Sequence, residues 1–123
     1  MAITREKKET LVNEYVEKLQ RSQAVIVSEY RGLTTKQIQG LRRDLRNAQS
    51  ELAVSKNTLI VRALKEVGLP APESLFTGPV AVTFCYDEVA APAKVMTKFA
   101  KDSKIMVLRG GLMDQLVFNE AGV

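Results

Sequence analysis

The stretch Ala24-Val25-Ile26-Val27-Ser28-Glu29-Tyr30-Arg31-Gly32-Leu33-Thr34-Thr35 decides how this chain folds. Its first four residues are a continuous apolar run rather than an alternating one, which marks a central strand covered on both faces or nearly so. Thr34 and Gln37 have capping-box spacing, and Leu33 and Ile38 flank them as a hydrophobic staple, so a helix begins at residue 35. The corner between strand and helix carries an aromatic, a guanidinium and a glycine. Such corners hold functional side chains on a rigid frame. Gly32 permits positive φ or close approach of another backbone. Tyr30 can stack and donate a hydrogen bond, and Arg31 can fork onto a phosphate. A plain loop with a half-buried tyrosine is the alternative.

Downstream of the corner, Ile38, Leu41, Leu45 and Ala48 share one side of a helix over 35–48. Lys36, Arg42, Arg43 and Arg46 occupy an adjacent arc of roughly a third of its circumference, and Asp44 falls outside it. Arg42 and Arg46 repel each other by a few tenths of a kcal/mol at i,i+4 spacing, a cost that an anionic partner removes. Gly40 in mid-helix costs about 1 kcal/mol relative to alanine, which close packing would offset. Residues 51–55 read as a second strand, with Lys56-Asn57 at its end forming a second strand-to-helix corner. Asn57 suits an N-cap. The helix that follows carries Arg62 and Lys65 and stops near Val67-Gly68.

Upstream, residues 4–22 read as a helix with Thr4 as its cap and a stripe of Leu11, Val12, Tyr15, Val16 and Leu19. Its first turns mix Arg5, Lys7 and Lys8 with Glu6 and Glu9. Cations there oppose the macrodipole and are tolerated more easily beside an anion. A solvated mixed-charge face accounts for them equally well. Residues 69–79 form a proline-rich loop, 80–86 a third strand, and 104–109 a fourth. Between those strands a helix starts at 88–92, with Asp87 as a candidate cap and Val95, Met96 and Phe99 facing the core. Gly110-Gly111 reads as a turn or bulge, and residues 112–123 carry no clear signal.

The order is one helix, then four strands alternating with three helices. Strict alternation suits a parallel sheet, while the short connections suit a plait equally. The expected fold is α+β: a two-layer α/β plait with a four-stranded mixed sheet, helices packed on it and an extra N-terminal helix. It forms one domain over residues 1–123.

Composition narrows the function. The chain is 46% apolar, as a globular domain requires. No apolar run approaches membrane-spanning length, and residues 1–11 are charged with no signal-peptide core, so the expected place is the cytoplasm with no membrane partner. Cys85 is the single cysteine, set in an apolar run, and reads as a buried inert thiol. Histidine is absent, which removes the commonest general base and metal ligand. There is no nucleophile–base pairing, metal-ligand spacing or phosphate loop, so the expectation is no enzyme and no cofactor.

Residues 1–68 hold 13 Lys+Arg against 8 Asp+Glu, and residues 69–123 hold 5 against 6. If the first two strands run the same way, both corners emerge at one edge, where the basic arc begins. The N-terminal cations reach the same side. That is a phosphate-reading surface with an aromatic to stack. A face that docks an acidic protein and plain solvated charge are the alternatives.

Ala24 to Leu33, Leu41-Arg42-Arg43-Asp44-Leu45-Arg46, Val54 to Leu59 and Arg62-Ala63-Leu64 resemble one known family in a single register. Phe76 to Ala81, Ala91-Pro92-Ala93-Lys94 and Phe99-Ala100-Lys101 continue the match. The family is bacterial ribosomal protein ten, the base of the large-subunit stalk. The resemblance implies an α/β domain that binds large-subunit rRNA beside ribosomal protein eleven. It further implies a C-terminal helix that recruits dimers of the acidic stalk protein, which engage translational GTPases. Relatives also bind their own messenger, so a free-standing RNA-binding regulator is a second reading. By resemblance, Tyr30, Arg31, Gly32, Arg42, Arg43, Lys56 and Asn57 face RNA. Charge geometry adds Arg5, Lys7, Lys8, Lys36, Arg46 and Arg62.

Members of that family continue past Val123, so the chain is expected to be a truncated form without the recruiting helix. Leu112, Met113, Leu116, Val117 and Phe118 leave room for barely two helical turns, too short to be stable in water. They are expected to pack back onto the domain. The expected behaviour is binding to rRNA without capture of the stalk protein.

Overall fold

The computed structural model describes residues 5–30, 32–71, 75–76, 80–104, 106–113 and 116–119. In chain order these form α1 (Arg5–Arg21), β1 (Ala24–Glu29), α2 (Thr35–Asn47), β2 (Ser50–Ser55), α3 (Asn57–Glu66), β3 (Val80–Cys85), α4 (Ala90–Ser103), β4 (Val107–Met113) and β5 (Leu116–Asn119). The strands make one sheet in the order β2-β3-β1-β4-β5.

The apolar run of β1 has the role its continuity implies. Val25 and Val27 face one core together with Val12, Tyr15 and Leu19 of α1 and Leu59, Ile60, Ala63 and Leu64 of α3. Ala24 and Ile26 face the other core, with Leu41 and Leu45 of α2 and Met96 of α4. A strand that is apolar on both faces needs helices on both, and it has them.

The α+β class therefore stands, while three details of the expectation change. Helices cover both faces of the sheet, giving three layers rather than two. Every pairing is antiparallel rather than mixed. A short β5 pairs with β4 as a fifth strand. The pairing follows from the route of the chain. The segment after α3 returns to the edge where β2 ended, so β3 starts there and inserts between β1 and β2, antiparallel to both. β1 and β2 consequently run the same way.

Local signals explain most of the ends. Thr34 Oγ1 accepts from the Gln37 backbone N–H at 3.1 Å, and Thr34 N–H donates to Gln37 Oε1 at 2.9 Å, completing the capping box of α2. Leu33 and Ile38 both pack on the second core. Asn57 does not cap α3. It is the first helical residue, Lys56 is the cap, and the Asn57 amide instead donates to the Phe76 carbonyl at 2.5 Å. Asp87 does not cap α4 either; the cap is Val89, with no side-chain bond. The glycine pair lies inside β4, not beyond it. Val27 is opposite Gly110 and Ser28 is opposite Leu108, so Arg109 is the extra residue of a bulge, with Gly110 at φ 147°. Thr4, the expected cap of α1, and the last four residues lie outside the described residues.

Candidate nucleic-acid interface

β1 and β2 end level with each other, because Glu29 and Ser55 both pair with Val80. The first corner leaves β1 here. The Leu33 N–H donates to the Tyr30 carbonyl at 3.1 Å, closing a tight turn in which Gly32 takes φ 90°. A side chain there would strain the backbone, which is why glycine stands at this position. Arg31 lies outside the described residues. Tyr30 is half-buried against the second core, so only part of its ring is open to a ligand. Lys36 is exposed on the first turn of α2.

The second corner contributes Lys56, exposed at the start of α3, and Asn57, half-buried and committed through its amide to the Phe76 carbonyl. Asn57 thus fixes the loop that carries the chain to β3. Arg62 is exposed one turn and more along α3, with Nε 3.9 Å from Glu66 Oε1. α1 runs back along β1 on the same face as α3, which brings its first turns toward the corner edge. Lys7 is exposed and Lys8 half-buried on those turns; Arg5 opens the helix.

The basic arc of α2 does not stay at the corner. The helix spans 13 residues, about 20 Å, from the corner edge to the opposite edge of the sheet. Lys36 is at its near end, Arg43 is exposed on its outer side, and Arg42 and Arg46 reach the far end. There they line an open groove of about 580 Å³ with Arg21, Gln49, Ser50, Glu51, Leu52, Tyr86 and Asp87. The expected residues are therefore split between two edges and two faces.

Arg21, Tyr86, Lys18 and Glu51 were not legible as a site. The Arg21 guanidinium lies over the Tyr86 ring, 4.7 Å from its centroid. The Tyr86 hydroxyl donates to Glu51 Oε1 at 2.9 Å, and Lys18 Nζ pairs with Glu51 Oε2. Burial alone would raise the Glu51 carboxyl. Lys18, the Tyr86 hydroxyl and Arg21 together outweigh it and hold the group below the ordinary carboxylate value. Burial, and then the Glu51 carboxylate, push the Tyr86 hydroxyl well up. Lys18 and Arg21 at i,i+3 in the last turn of α1 were the one local hint, but their partners lie far away in sequence. Among the described residues no cluster of acidic or thiol side chains could hold a metal, and no helix is long and apolar enough to cross a membrane.

Residues 3–101 match the family described as Ribosomal protein L10. The chain belongs to the ribosomal protein L10 family. It is 37% identical over 116 residues to large ribosomal subunit protein uL10 of Clostridium tetani, covering 94% of this chain and 67% of that relative. The uL10 of Mycolicibacterium gilvum is 44% identical over 107 residues, covering 87% of this chain and 59% of the relative. For the uL10 of Thermoanaerobacter sp. the identity is 44% over 115 residues, covering 93% of this chain and 65% of the relative. The chain thus spans about three fifths to two thirds of the length of these L10 relatives. L10 is a structural, non-enzymatic family whose members sit on the ribosome in the cytoplasm.

Proposed function

We propose that this chain is a structural constituent of the large ribosomal subunit that binds large-subunit rRNA through its corner edge and the basic arc of α2. The shared edge carries the reading: one residue, Val80, aligns the ends of β1 and β2, so Gly32, Lys36 and Lys56 lie at the same end of the strands. Membership of a ribosomal family supports it. Lysine and arginine on a rigid edge neutralise phosphates, and each neutralised phosphate releases counterions.

The finer part of the proposal sets the domain at the stalk base beside ribosomal protein eleven. A chain of the relatives' full length then recruits dimers of the acidic stalk protein and, through them, the translational GTPases.

Chemical probing of large-subunit rRNA with and without the purified chain tests the reading. A defined protected segment is expected. Arg42→Ala combined with Arg43→Ala should weaken binding and make the salt dependence shallower by roughly one to two units. An unchanged affinity and slope would mean that the arc is merely solvated. Size-exclusion chromatography with the acidic stalk protein tests the finer part: a full-length chain should co-elute with it.

A further inference from the structure

We infer that the far-edge groove is a second clamp for RNA phosphates, built by Arg21, Arg42 and Arg46 and separate from the corner edge. The inference rests on the RNA-binding reading and assigns a second point of contact within it.

Three guanidinium groups meet at this groove from opposite faces of the sheet. Arg21 ends α1, and Arg42 and Arg46 are one turn apart on α2. Among the described residues none of the three is in an ion pair within 4.0 Å. Arg42 Nε is shielded from solvent with no hydrogen-bond acceptor among those residues. A desolvated guanidinium N–H without an acceptor is unfavourable until one arrives.

Two carboxylates line the groove, Glu51 and Asp87. Glu51 is held by Lys18 and by the Tyr86 hydroxyl, so it acts on Arg21 through space without forming an ion pair with it. Asp87 is exposed and is the other carboxylate among the lining residues. The Tyr86 ring meanwhile supports the Arg21 guanidinium from below, limiting the orientations that its fork can take. Pre-oriented forks with free donors match the paired oxygens of a phosphodiester.

The size of the arrangement selects a polymer over a small anion. The groove is open and continues into the α2 arc, whose other end lies about 20 Å away at the corner edge. A single free phosphate fills one fork and leaves the rest unsatisfied. A folded RNA brings phosphates to both edges at once.

The test uses the full chain and a large-subunit rRNA fragment, read by binding across a salt series and by hydroxyl-radical protection. Arg21→Ala with Arg46→Ala is compared with Lys36→Ala with Lys56→Ala. The inference expects each pair to lower the salt slope by about one and a half, from roughly 0.7–0.9 per lost phosphate contact. Each pair should also abolish a different set of protections. Arg21→Lys with Arg46→Lys should restore most of the slope but less of the affinity, since lysine keeps the charge and lacks the fork. All four positions are exposed, and thermal melts should show every variant folded at the assay temperature, with a small drop for Arg21→Ala from the lost contact with the Tyr86 ring.

Parental slope and protections in the Arg21/Arg46 variant, with loss in the Lys36/Lys56 variant, would overturn the clamp and leave RNA binding at the corner intact. Inorganic phosphate that saturates the groove as tightly as RNA would make it a small-anion site and also overturn it. Absence of any RNA protection by the parent chain would remove both readings.

Discussion

Glu29 of β1 and Ser55 of β2 pair with the same residue, Val80 of β3, from opposite sides. Two segments 26 positions apart in sequence are thereby levelled to one edge by a third. The corners that follow them are rigid by consequence rather than by their own loops. Tyr30 and Lys56 each leave a strand paired to β3 along its whole length, so the spacing of the two corners is fixed by two inter-strand distances, about 10 Å.

Tyr30 tests how much of the first corner is scaffold. Its ring packs on the second core with Leu33 and Ile38. Tyr30→Ala should lower unfolding free energy by about 1–3 kcal/mol, and Tyr30→Phe by much less. Denaturant melts measure this. If the exposed part of the ring also stacks on a base, RNA affinity in Tyr30→Ala falls by a further 1–3 kcal/mol or so under conditions where the variant is folded.

The glycines Gly40 and Gly68 should respond in opposite directions. A Cβ at Gly40 meets nothing within 4 Å, and the residue lies inside α2. No close packing offsets its cost, so Gly40→Ala should stabilise by up to about 1 kcal/mol. Gly68 sits at φ 78° just past α3. Gly68→Ala should destabilise by about 1 kcal/mol despite equally open space, because the backbone is left-handed there. Paired urea titrations separate the two.

Glu51 gives the acid limb of stability a definite sign. Its folded pKa is depressed, so its contribution is present above the ordinary value of 4.5 and is lost as pH falls through the folded value. The side chain is 44% exposed, so the effect is below about 1 kcal/mol. Glu51→Gln should flatten the pH dependence of unfolding on that limb. A parental acid limb in the variant would mean that other carboxylates control it.

Cys85 should be silent until the fold opens. The residue is 0% exposed, and burial, opposed by Ser50, pushes its thiol up to about 11. At pH 8 a thiol reagent should leave the native chain unlabelled, with labelling rising along the denaturant curve. Rapid labelling of the native state would contradict the packing of β3 between the two cores.

What the amino-acid order disclosed and what it hid divide along sequence distance. The run Ala24–Val27 announced a strand covered on both sides, and Thr34 with Gln37 announced the start of α2, because both signals lie within a few residues of the structure they create. Strand direction was hidden. Whether β1 and β2 are parallel depends on β3 inserting between them, and that depends on where the loop after α3 delivers the chain. Asn57 looked like a cap because its local preference is for caps, yet the Phe76 carbonyl, 19 residues away, offered its amide a better partner. β5 was invisible because a four-residue strand at a sheet edge needs little pattern of its own. The basic arc was legible as an arc, but a helical wheel carries no length. It could not reveal that Lys36 and Arg46 serve opposite edges, or that Arg21 joins the second.

The strand order also sets a timetable for synthesis. Both neighbours of β1, namely β3 and β4, are made after it, and β2 touches the rest of the sheet through β3. A nascent chain that has emerged only as far as residue 79 holds two of the five strands found among the described residues, and these two do not pair with each other. Its helices can form, but the apolar faces of β1 stay bare until β3 arrives and closes pairs with β1 and β2 in one event. Folding of this domain therefore waits for its middle strand, and the interval before residue 85 clears the exit is when the chain most needs protection from premature association.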